Sequence, residues 1–138
     1  MADENELPRM IHPRDREIVA LTYVLAIIPL FGILTAALIA MWYQERSRTV
    51  VFHAKQAIAG QAIFLLVFVV ICLFSLFAAL AGVLSPRLKE ILVWFDWIVL
   101  YVTLFACVCW YGYFAWMTLG GHDLEYPLIG ARLRDRSE

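Results

Sequence analysis

The chain has 138 residues, 63% hydrophobic and only 17% charged, with a mean hydropathy of +0.77 and a net charge of -1. That is far more apolar than a soluble domain of this size needs, and the near-neutral charge without a basic aromatic face argues against nucleic-acid binding. Charged residues cluster in 1–17, 44–55, 85–90 and 122–138, and between those stretches only Asp96 is charged; membrane spans separated by loops produce this pattern.

Residues 1–17 form a polar, slightly acidic segment broken by Pro8 and Pro13. It is too long and too acidic for the n-region of a cleaved signal peptide, so it is expected to be retained, with the first apolar segment serving as the insertion signal. Residues 18–43 are uncharged and long enough for one tilted span, yet Pro29 and Gly32 interrupt them as a hinge. The two readings are a kinked span and a hairpin that returns to its own side. With the hairpin, nine of the eleven basic residues (Arg9, Arg14, Arg16, Arg46, Arg48, Lys55, Arg132, Arg134 and Arg136) share one side, against Arg87 and Lys89 opposite. The positive-inside rule favours this arrangement, with both termini cytoplasmic at a bacterial inner membrane and the SPRLKE turn outside.

Residues 50–84 carry no proline and are expected to form one long helix, ended by Ser85 and Pro86. A return span follows over 91–119, with Trp94 and Trp97 at one interface, Trp110, Tyr111, Tyr113 and Trp116 towards the other, and Gly120 and Gly121 closing it. The YPLIGARL tail suits the membrane surface, with Arg132 and Arg134, like Lys55, at lipid headgroups, while 134–138 form a loose end. The expected fold is an all-α polytopic bundle with one membrane domain over 18–133: a broken hairpin, then two long antiparallel helices.

Two polar stripes stand out. On helical spacing His53, Gln56 and Gly60 share a face with Thr49, Gln61 lies at its edge, and Lys55 points away. This face either contacts a partner or handles protons, or it hydrogen-bonds the helix to the hairpin and tail, because unsatisfied polar groups in a bilayer cost several kcal/mol. On the return span Asp96, Thr103, Cys107, Trp110, Phe114 and Thr118 share a line. Asp96, the only ionisable group within a span, either has a function, reaches external water, or pairs with Lys89 or Arg87. Gly60 and Gly82 sit among small residues that permit close helix approach and homo-oligomer contacts.

Cys72, Cys107 and Cys109 lie in apolar segments without a CxxC pair, which points to packing. His12, His53 and His122 share a side with Asp123 and Glu125, but no HExxH or HxxxH spacing supports a metal, and no GxSxG, GxGxxG or Walker loop supports catalysis. No cofactor and no catalytic residue is therefore expected.

The segments IPLFG, FHAKQA and YPLIGARL together resemble those of a family of small bacterial membrane proteins of unknown function, similar to the Tic-twenty-type subunit of the chloroplast inner-envelope protein translocon. The resemblance covers about residues 18–133 and marks His53, Gln56, Tyr126 and Pro127 as signature positions without an assigned role. For the plastid relatives it implies a part in protein passage across a membrane. The functional expectation is a nonenzymatic integral membrane protein, an assembly, translocation-accessory or interaction module, with lipid, other membrane proteins or further copies of itself as partners. The alternative is an oligomeric channel or carrier lined by His53, Gln56, Gln61, Asp96 and Thr103, and a third reading is a lipid-directed enzyme using the three histidines.

Overall fold

A few capping residues set the helix boundaries in this chain. The computed structural model describes residues 10–126. Four helices follow in order: α1 (Pro13–Leu25), α2 (Phe31–Tyr43), α3 (Arg48–Leu84) and α4 (Pro86–Leu119). The protein is all-α, as the sequence implies; among the described residues the one β-type pairing is an isolated bridge between Met10 and His122.

Helix α1 begins at Pro13, inside the segment expected to be an irregular polar terminus. His12 caps it, its Nδ1 accepting from the Arg14 amide at 3.3 Å, and proline suits the first helical position because its missing N–H has no helical partner there. The chain then doubles back, so 18–43 form a hairpin and not a kinked span. At the base, Ser47 Oγ donates to Asp15 Oδ2 at 2.6 Å; at the tip, the Gln61 side chain donates to the Ala26 carbonyl.

The reversal itself is a three-residue turn. The Phe31 amide donates to the Pro29 carbonyl at 2.7 Å, and Leu30 between them takes φ 64 and ψ -51. A leucine in this region is strained by on the order of 1–3 kcal/mol. Gly32, expected to be part of the hinge, instead lies in the first turn of α2 and serves close packing: a Cβ there would stand 2.6 Å from the Ala26 Cα.

Ser47 starts α3, its hydroxyl accepting from the Val50 amide at 3.3 Å. The 37 residues of this helix span ~55 Å at 1.5 Å per residue. Ser85 both ends α3, donating its amide to the Ala81 carbonyl, and begins α4, its hydroxyl accepting from Leu88 N at 3.4 Å. The expected SPRLKE turn is thus a single residue, and Arg87, Lys89 and Glu90 stand on the first turns of α4. At the other end Gly121 adopts φ 88, letting His122 N reach Met117 O at 3.1 Å and Gly121 N reach Thr118 O at 3.0 Å, a Schellman closure.

Helices α1 and α2 pack on the N-terminal half of α3, and α1 also packs on the C-terminal half of α4, where Tyr23 and Phe114 lie 5.3 Å apart. Large apolar side chains face outward all along the molecule, among them Leu21, Leu38, Leu66, Leu73, Phe77, Ile91 and Phe105. An outer surface of this kind is at home in lipid, not water. Helices α3 and α4 are long and apolar enough to cross a membrane. The 13-residue α1 and α2 reach only ~20 Å each, short of a hydrocarbon core of ~30 Å.

Candidate functional site

Where the hairpin, α3 and the segment after α4 meet, polar side chains replace the apolar core. Tyr23 from α1 places its hydroxyl 2.9 Å from Nδ1 of His53 on α3. One turn further along α3, Gln56 Nε2 donates to the Tyr23 oxygen at 3.0 Å and to the Leu124 carbonyl at 3.1 Å. The phenol oxygen of Tyr23 thus joins His53 and Gln56 in one hydrogen-bonded cluster, with Gln56 as a donor to it. The other ring nitrogen, Nε2, lies 3.1 Å from Asp123 Oδ1, without the alignment of a hydrogen bond. His53 and Gln56 are completely buried, while Asp123 and Leu124 at the seam's outer edge are partly exposed.

Gly60 continues the same face. A Cβ at this position would stand 2.8 Å from the Tyr111 hydroxyl and 2.8 Å from the ring of Tyr126, so only glycine lets the C-terminal segment lie against α3. Tyr111 donates to the Ala57 carbonyl at 3.4 Å. Tyr126 packs edge-on against Phe114, centroids 4.8 Å apart, and burial pushes its phenol up to about 12, so it stays neutral at any physiological pH. Gln61, also buried, closes the seam at its deep end. The Ala26 carbonyl that it bonds is freed by the end of α1, in a region with no water to satisfy it.

The second stripe is much sparser. Asp96 is half-buried and meets Ser75 of α3, not Lys89 or Arg87; the single Ser75 hydroxyl proton has two acceptors in reach, the Asp96 carboxylate and the Ile71 carbonyl at 3.1 Å. Thr103 and Cys107 line an apolar cleft of about 240 Å³ under the hairpin tip, bounded also by Pro29, Leu30, Phe64, Phe68 and Leu104. The polar seam and Asp96 therefore sit at opposite ends of α3 and share no contact. Lys55 is exposed and points away from the seam. Arg132, Arg134 and Pro127 lie outside the described residues. The cysteines are free thiols, with Cys107 buried and Cys72 and Cys109 exposed. Among the described residues no three His, Cys, Asp or Glu side chains are grouped to hold a metal ion.

Sequence reasoning missed Tyr23, the hub of the seam. Its signal was faint: it and the adjacent Thr22 are the two hydroxyls of an otherwise apolar stretch of α1, and it has no periodic partner on its own helix. Ser75 was missed as the partner of Asp96 for the same reason, since the pairing joins residues on different helices.

These features define an all-helical membrane protein in which a short hairpin is clamped by a polar seam to a pair of helices long and apolar enough to span a bilayer. Residues 14–133 match the sequence model of the MamF/MmsF magnetosome magnetite crystal formation protein family, and the chain belongs to that family. The match overturns the expected likeness to the translocon subunit, and with it the expectation of protein transport. The reason is visible in the site. His53, Gln56 and Tyr126 hold the fold together, so short motifs built on them identify a way of packing and not an activity. No curated protein and no solved structure matches the chain.

Proposed function

We propose that the protein is a nonenzymatic module of the magnetosome membrane that acts in magnetite crystal formation through contacts with lipid and with other membrane proteins. One observation carries this reading beyond family membership: the buried polar side chains of the seam, Tyr23, His53 and Gln56, bond the protein's own hairpin, helix and C-terminal segment. Groups bonded in this way fix a shape. The outward face, from Leu38 near the hairpin base to Leu80 near the far tip, is apolar and suited to lipid or another membrane helix. Nine basic residues gathered with both termini support a cytoplasmic location for that side, leaving Arg87 and Lys89 on the other.

An oligomeric channel has less support. Past Gln61 the seam ends, and the cleft that follows is lined by Pro29, Leu30, Phe64, Leu65 and Phe68, an apolar barrier to ions.

Removing the gene from its magnetosome-forming host and measuring crystals by electron microscopy tests the proposal. Altered crystal size or number, restored by the intact gene, is the expected result. Crystals indistinguishable from those of the parent strain would overturn it.

A further inference from the structure

The two leaflets of a bilayer meet different amounts of this protein. The hairpin base stands level with the start of α3, through Asp15 and Ser47, and its tip stands level with Gln61 to Phe68, through Ala26, Pro29 and Leu30. Beyond Phe68, α3 runs on for ~24 Å, and among the described residues α4 is the one helix beside it. The exposed apolar surface limits where the bilayer lies. Leu21, Val24, Leu34 and Leu38 on the hairpin need hydrocarbon, and so do Leu73, Phe77, Leu80 and Ile91 on the far pair. A slab that covers only one of these sets strands the other in water, so both belong in the membrane, the hairpin in one leaflet and the bare pair in the other.

From this asymmetry we infer that the protein is a leaflet wedge that favours membrane curved convex on the side of its termini. Among the described residues, four helices occupy the leaflet nearer the termini and two occupy the opposite one. With helices of 10–12 Å diameter, the excess is on the order of 200 Å² per molecule. A flat bilayer must compress one leaflet or stretch the other to accommodate that difference, and bending towards the wider side relieves it. The occupant of the space beyond the hairpin tip is lipid from the opposite leaflet, whose chain ends meet the apolar cleft walls of Leu30, Phe68 and Leu104. The Leu30 turn supports the same picture, since the chain accepts positive-φ strain to reverse within the hydrocarbon instead of crossing it. This goes beyond a role in crystal formation and does not depend on it.

The test uses the full-length protein in giant vesicles from which narrow membrane tubes are pulled. A dye on the N-terminus and a membrane-impermeant quencher separate the two orientations. Molecules with their termini on the outer, convex surface are expected to be enriched several-fold on the tube over the flat membrane, and those in the opposite orientation to be depleted. Equal partitioning, or enrichment regardless of orientation, would overturn the wedge. A second measurement reads depth directly: a spin label at Leu30→Cys, with Cys72, Cys107 and Cys109 replaced by alanine, is expected close to the bilayer centre by oxygen and nickel accessibility. A label at headgroup depth or in water would sink the proposal even if the tubes are enriched.

Discussion

The two ends of the α3–α4 pair are held together by different physics. At the end nearer the termini, Tyr23, His53, Gln56 and Gln61 are fully buried and joined by directional bonds, and Gly60 leaves just enough room for Tyr126. At the far end the buried residues are Ile71, Ala78 and Ala81, Phe74 of α3 packs edge-on against Phe95 of α4 at 5.7 Å, and the one side chain–side chain polar contact there among the described residues is Ser75 with Asp96. In lipid there is no hydrophobic penalty to keep helices together, so a four-helix arrangement needs hydrogen bonds to specify it, whereas two helices joined by a one-residue turn need little beyond close approach. The near end therefore should not tolerate substitutions that the far end absorbs.

The largest effect is expected at His53. His53→Ala removes the hydrogen-bond partner of Tyr23, leaves Asp123 without its imidazole neighbour and opens a cavity at a fully buried position. Together these should cost about 3–5 kcal/mol. Thermal unfolding in mild detergent should show a clear fall in Tm, and limited proteolysis should cut the released C-terminal segment first. Unchanged melting would mean that the seam is not what holds the hairpin.

A pair of glycine substitutions sharpens the contrast. Gly60→Ala pushes a methyl into the Tyr111 hydroxyl and the Tyr126 ring, each 2.8 Å from the new Cβ, and is expected to cost about 1–3 kcal/mol. At Gly82→Ala the nearest atoms belong to Lys89: its Cδ, at 2.6 Å, lies on a flexible chain that can swing away, and its Cβ, at 3.3 Å, needs a shift of a few tenths of an ångström. Because alanine is the better helix former, the far-end change should be neutral or stabilising by up to ~1 kcal/mol. If both changes cost the same, the near end is no more tightly packed than the far end, and the comparison fails.

Much of this was legible in the sequence, and the failures have physical causes. Pro29 marked the break, and the helical spacing of His53, Gln56 and Gln61 marked the buried face, because both are local properties of one segment. The shared role of Ser85 as the cap of two helices was missed because a run such as PRLKE looks like a loop by charge, while its proline sits where a helix accepts one. What bonds His53 was not legible at all. Tyr23 lies 30 positions before it, and Gln56 reaches Leu124 across 68 positions, so no spacing rule brings them together.

The smallest effect, and the most discriminating for function, is expected at Asp96. An acid within a span is ordinarily a functional candidate. Here its oxygen meets Ser75 Oγ while that hydroxyl can donate to the Ile71 carbonyl, so an amide in its place can still bond the serine. Asp96→Asn should therefore change stability by less than about 1 kcal/mol, less than the near-end His53 and Gly60 changes. The measurement that matters is made in the magnetosome-forming host, with the variant replacing the native chain. Normal crystals would mark Asp96 as a hydrogen-bonding strut between two lipid-facing helices. A folded variant that yields abnormal crystals would show that the carboxylate acts through its charge, and the far end would then be a working surface and not merely the narrow side of a wedge.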